Sequence, residues 1–265
     1  MVTVAQDASG SQGHNNNLVL GVAYLNVTLY ALCYQMQSPV LPYLVEKLGD
    51  DLATEYAKMQ VLFGVVQLCG GLVAGPLSDS LGAKVLLLLS FGASALCYGL
   101  TAVSTSMAGL YLSRVPTLLQ HAVLAARAMV ADYTDHKTRA TKLGYIGLAY
   151  GLGFAVGPWF GGFVAEQFSL ETAAWLACAG SMVSVGLVVI LLPGGRPSQQ
   201  GTKDGEKKQL SWKVFVDVTK HRHVFSLLVV KFIASVPSAM MRSIFALIAI
   251  EHFRMTPSTQ GNVLS

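Results

Sequence analysis

Gly75-Pro76-Leu77-Ser78-Asp79-Ser80-Leu81-Gly82-Ala83-Lys84 is a short polar turn between two long apolar runs. Between Lys58 and Arg114, its Asp79 and Lys84 are the only charged residues. A bilayer core takes about 20 apolar residues per helical crossing, and the runs on either side, 57–77 and 84–104, are of that length. The turn therefore joins two membrane-spanning helices. The same test applied outward gives seven crossings, at 18–45, 57–77, 84–104, 107–131, 143–165, 172–193 and 224–250.

Composition agrees. The 265 residues are 53% hydrophobic and 12% charged, about half the charge of an ordinary soluble domain. Mean hydropathy is +0.52, which excludes a disordered chain. All fourteen acids lie in tails, loops or helix ends, as lipid demands, because a carboxylate at mid-bilayer is expensive unless paired or functional. The four cysteines (Cys33, Cys69, Cys97 and Cys178) fall inside the apolar runs. They read as small fillers and not as a disulfide framework.

Basic residues set the orientation, since cytoplasmic loops carry the excess of Lys and Arg. With the N-terminus inside, the inner loops hold eleven: Lys84, Lys137, Arg139, Lys142, Arg196, Lys203, Lys207, Lys208, Lys213, Lys220 and Arg222. The outer loops hold Lys47, Lys58 and Arg254. Residues 1–17 are polar, lack a basic start and form a cytoplasmic tail. Residues 18–193 make a six-helix bundle, 194–223 a hydrophilic cytoplasmic linker, and 224–265 a seventh helix with a truncated start beyond it. Plasma and intracellular membranes are not distinguished by any signal in the chain.

Two stretches inside the bundle repeat. Gly71-Leu-Val-Ala-Gly75-Pro76 and Gly153-Phe-Ala-Val-Gly157-Pro158 each lie in the middle helix of a three-helix set. The two helices run in opposite directions, the pattern of inverted repeats in secondary transporters. A Gly every fourth residue also occurs at any close helix contact. The fifth crossing extends the pattern to Gly161, and Pro158 frees a carbonyl and permits a bend.

Polar residues inside the crossings are the candidate site. On the first helix Asn26, Tyr30, Tyr34 and Gln37 recur at helical spacing, a stripe that either lines a cavity or packs against a neighbour. On the fourth, a helical wheel places Arg114, Thr117 and His121 on one face with Gln120 adjoining. Arg114 is either functional or hydrogen-bonded inside the bundle. Arg127 is expected to snorkel to the cytoplasmic interface. Lys231 and Arg242 add cations on the seventh helix. With no carboxylate in any span, the visible half suits a neutral or anionic solute better than a cation. Asp79 can cap a helix or hold a cation, and Asp132 can pair with Lys84 or Arg139.

The turn at 75–84 resembles the signature of the major facilitator superfamily, G-x-L-a-D-r-x-G-r-k, in Gly75, Leu77, Asp79, Gly82 and Lys84. Ser80 and Ala83 stand where the family has Arg. The Gly-Pro helix at 147–162, the segments Ala131-Asp132-Tyr133-Thr134 and Arg139-Ala140, and Arg114 resemble the family as well, although Leu118 replaces a Gly near Arg114. Residues 38–265, Lys231 included, look like an organic cation transporter-like branch, solute carrier family 22. The resemblance implies an all-α polytopic protein, the N-terminal six-helix bundle (3+3 inverted repeats) plus a seventh helix of a twelve-helix fold, transporting a small solute by alternating access. The turn would then be a gating loop that latches the two halves.

The implied partners are a small-molecule solute, the lipid bilayer, and a C-terminal half or full-length homologue; nucleic acid is not one. No enzyme, cofactor or metal site is expected, since His121 has no acid or Cys at ligand spacing. Thr256–Ser265 looks like the approach to an eighth helix that is missing, so the chain is a fragment or a short product needing a partner. A non-transporting regulator is the alternative; a seven-helix receptor fits neither the cytoplasmic N-terminus nor the Gly-Pro helices.

Overall fold

The computed structural model describes residues 2–192 and 222–265, so the expected linker at 194–223 lies almost wholly outside the described residues. Two compact units make up the chain, Met1–Gln200 with Thr256–Ser265, and Gly201–Met255. Among the described residues every element is helical. In the first unit these are α1 (Val2–Leu48), α2 (Leu52–Leu81), α3 (Ala83–Val103), α4 (Met107–Ser113), a 3-10 turn (Val115–Leu119), α5 (Ala122–Asp132), α6 (Arg139–Gln167), α7 (Leu170–Leu191) and α9 (Pro257–Leu264). The second unit contributes α8 (Arg222–Glu251), with Pro237 inside it.

Five helices of the first unit are long and apolar enough to cross a membrane, at Asn16–Leu48, Leu52–Leu81, Ala83–Val103, Arg139–Gln167 and Leu170–Leu191. They match the expected crossings with starts one to five residues earlier, and with ends two to four residues later except at Val103 and Leu191, which fall one and two residues short. Upstream of Asn16, α1 continues through the polar residues expected as a tail. The fourth expected crossing is not one helix. It breaks into α4, the 3-10 turn and α5 around Pro116, which has no N–H and whose ring opposes a continuous helix.

The neighbour pattern reflects the expected repeat. The middle helix of each set packs on the first helix of the other, α6 on α1 and α2 on the 3-10 turn, while the third helices α3 and α7 pack together. Exchange of two equivalent three-helix sets requires this pairing. The core between them is small and apolar, built on Val19, Val27, Leu86, Phe91, Ala126 and Ile146. Cys33, Cys97, Tyr98 and Ala177 form a second cluster, and all four cysteines are free.

Glycine spacing is realised as close packing over the second half of α6, at Gly153, Gly157 and Gly161, while Gly147 and Gly151 face open space. A Cβ on Gly153 would lie 2.5 Å from the Thr28 carbonyl, and one on Gly157 2.6 Å from the Gln35 Cβ. Gly161 is closed in the same way by the Met36 backbone, so α1 lies backbone to backbone along this face. α6 stays helical through Pro158. Its adjoining edge receives α9: Gly162 meets the Pro257 backbone, Gly261 meets the Pro158 carbonyl, and the Glu166 carboxylate accepts the Ser258 N–H at 3.1 Å. The approach to an eighth helix is therefore already helical, and docked.

α2 does not mirror this packing. A Cβ on Gly75 would touch nothing within 4 Å; the close approach falls at Gly70, against the Leu118 carbonyl. In the signature turn Gly82 takes φ 84° and ψ 159°, a backbone region open to glycine alone. Lys84 donates to the carbonyl of Leu192 at the end of α7. Asp79 is exposed and neither caps α3 nor makes a hydrogen bond or ion pair among the described residues, because it stands in the last turn of α2, ahead of the Gly82 that takes the N-cap position of α3.

Candidate functional site

Breaking a helix inside a membrane leaves backbone groups that lipid cannot satisfy, so such breaks persist only where protein or a cavity receives them. The interruption at 114–121 is received by side chains from three other helices. Gln67 of α2 donates to the Thr117 carbonyl at 3.2 Å, Tyr30 of α1 to the Gln120 carbonyl at 3.4 Å, and the His121 N–H reaches Ser90 Oγ of α3 at 3.2 Å. Thr117 turns its own hydroxyl back to the Arg114 carbonyl at 2.5 Å. The wheel that put Arg114, Thr117 and His121 on one α-helical face is therefore corrected, since these residues lie on a 3-10 turn and its flanks.

Arg114 is 5% exposed and faces α3. Its guanidinium donates to Thr101 Oγ1 at 2.6 Å and to Ser113 Oγ at 3.0 and 3.1 Å. Both hydroxyls pass their protons to backbone carbonyls, Thr101 to Cys97 and Ser113 to Leu110, which leaves their lone pairs for the cation. One turn on, the Gln120 amide donates to Ser94 Oγ at 2.9 Å and to the Tyr98 hydroxyl at 3.0 Å. Ser90, Ser94, Tyr98 and Thr101 thus form a polar edge on α3. Sequence reading missed it, although its spacings of four, four and three mark one helix face.

Beside the break lies a cleft of about 390 Å³ lined by Tyr30, Gln120, His121, Val123, Leu124 and Arg127. Tyr30 stacks on Tyr34 with ring centroids 6.1 Å apart, and Tyr34 leans on Phe63 at 6.4 Å. The structure thus gathers Tyr30, Gln120 and His121, with Tyr34 adjoining. Arg127, expected at the membrane interface, is a wall of this cleft.

The other candidates sit elsewhere. Asn26 is buried and donates to the Val22 carbonyl at 2.9 Å. Gln37 is buried with neither amide atom partnered among the described residues. Arg114 does not line the cleft. Lys231 is exposed on α8 in the second unit, and the side chain of Arg242 lies outside the described residues. In the loop between α5 and α6, Arg139 donates to the carbonyls of Ala131 (2.9 Å) and Thr134 (3.4 Å), closing the end of α5. Among the described residues no three His, Cys, Asp or Glu side chains come together as a metal site.

The family model described as Major Facilitator Superfamily matches residues 23–264. Solute carrier family 22 member 18 of Rattus norvegicus is 30% identical over 254 residues, covering 93% of this chain and 61% of that protein. The class C tetracycline resistance protein of Escherichia coli is 28% identical, covering 93% and 62%. The crystal structure of the human organic anion transporter MFSD10 (TETRAN) superposes with a TM-score of 0.70 at 21% identity, over 94% of this chain and 68% of that one. The chain spans about three-fifths of the length of these two relatives.

Proposed function

The chain belongs to the major facilitator superfamily and is an integral, multi-pass membrane protein, and from that premise we propose that it forms the solute-binding N-terminal bundle of an alternating-access transporter. The observation that carries this reading is the interrupted fourth crossing, opening beside the cleft at Tyr30, Gln120 and His121. Discontinuous helices hold the substrate in secondary transporters because a break frees backbone groups to meet it. In this reading Tyr30 and Tyr34 offer a stacked aromatic wall, Gln120 fixes the geometry of the break, and Asn26 and Gln37 continue the polar stripe along α1. Lys231 belongs to the seventh crossing, the first of the second bundle. Rocking of one bundle against the other would expose the cleft to each side in turn.

The excess of eleven inner over three outer basic residues supports a cytoplasmic N-terminus. The relatives' names also guide the solute class: one is a solute carrier and one a drug-resistance protein. A second reading, a half-transporter that binds and regulates a longer homologue, draws on the exposed apolar side chains Val61, Leu68 and Leu72 of α2, which a second bundle would cover.

Flux tests the first reading. Vesicles reconstituted with the protein take up at least one labelled solute from a panel of carboxylates, amines and neutral aromatics. Gln120→Ala, which releases Ser94 and Tyr98, lowers that uptake by about tenfold or more, the scale of a misplaced binding group. Uptake equal to empty vesicles for every solute contradicts transport and favours the regulator.

A further inference from the structure

We propose that the cleft takes a small organic anion and that Arg127 selects its charge. This rests on the transport reading above and adds the class of solute. The six residues lining the cleft include one permanent cation, Arg127, and no acid. Arg127 is exposed, and it makes no hydrogen bond or ion pair among the described residues. Among the described residues nothing supplies its counter-charge. Arg114, the neighbouring buried cation, has its guanidinium on Thr101 and Ser113, so the two arginines differ in availability.

The backbone at the same place adds to the field. α5 begins at Ala122 without a side-chain cap, and its first backbone bond runs from Ala125 N–H to the His121 carbonyl at 3.2 Å. The N–H groups of Ala122, Val123 and Leu124 precede that bond and have no protein partner, and Val123 and Leu124 line the cleft. A helix N-terminus carries partial positive charge, and Arg127 stands roughly 8 Å along the same helix at 1.5 Å per residue. The two act on one space. A carboxylate, sulfonate or phosphate there would meet a planar guanidinium fork and free amide donors. An organic cation would meet repulsion with no carboxylate in the lining to offset it.

The test reads the charge preference of the cleft without requiring the natural solute. The full chain carries Cys69→Ser and Leu124→Cys in phosphatidylcholine nanodiscs, with the rate of the protein lacking the Leu124 change subtracted. It is modified by methanethiosulfonates bearing either a sulfonate or a trimethylammonium group, each normalised to a free thiol in solution. The expected result is about tenfold faster reaction with the sulfonate, near parity in Arg127→Gln, and preserved preference in Arg127→Lys, which keeps the charge. Millimolar benzoate slows the sulfonate reaction, and added phosphatidylglycerol does not. A preference near unity, or one unchanged by Arg127→Gln, overturns the proposal. Slowing by phosphatidylglycerol and not by benzoate overturns the solute and makes the cleft a lipid headgroup site. If Arg127→Gln does not fold, loss of the preference in Arg127→Lys overturns it equally. Anion preference without flux of any solute would sink the transport reading and leave the charge selection standing.

Discussion

The guanidinium of Arg114 donates to hydroxyls and to no carboxylate. A buried cation is costly unless its donors are met, and Thr101 and Ser113 meet them because each hydroxyl already gives its proton to a carbonyl. Thr101→Val keeps the shape and removes one acceptor. The expected loss is about 2 kcal/mol, in the range for hydrogen bonds to charged groups, seen as a lower melting temperature in detergent. Thr101→Ser should restore the wild-type value. An unchanged melting temperature in the valine variant would mean that the hydroxyl does not hold Arg114. The sequence revealed this residue as an intramembrane cation but not its partners. Thr101 sits on α3, whose serines and threonine read singly as small polar residues, and Ser113 closes α4. For Arg127 the sequence shows the distance to a helix end, whereas its place on a cleft depends on where α1 and the break lie.

At the scale of elements, the fifth crossing was legible and the fourth was not. Gly153, Gly157 and Gly161 declare a close contact by spacing alone, and α1 fills it. The same helix supplies its own control. Gly161→Val places atoms on the Met36 backbone and is expected to cost about 3 kcal/mol as overpacking. Gly147→Ala, where nothing lies within 4 Å, should instead stabilise by about 0.5–1 kcal/mol through helix propensity. Equal effects on thermal unfolding would contradict backbone-to-backbone packing. In the fourth crossing Pro116 was visible, but prolines are tolerated in membrane helices whenever neighbours re-satisfy the backbone. α2 keeps Pro76 and α6 keeps Pro158 without a break. Whether Pro116 kinks or interrupts its helix was decided by Gln67, Tyr30 and Ser90 from three other elements, and no local pattern encodes their arrival.

Over the whole molecule, two three-helix sets exchange neighbours around a shared core, and the family match over residues 23–264 belongs to that architecture. The class of fold was readable because lipid permits few solutions: long apolar helices, charges at their ends, and small residues where helices touch. The site was half readable, since polar residues in crossings point to function while their grouping depends on the break. A cleft that passes solute must open this break onto water within the bundle. Hydrogen exchange of the protein in nanodiscs tests it most directly. Amides of Ala122, Val123 and Leu124, which lack protein acceptors, are expected to exchange within seconds, while those of α3 and the glycine face of α6 stay protected for hours. Protection at 122–124 equal to that of α3 would mean a sealed helix, and would contradict the cleft as a path for solute.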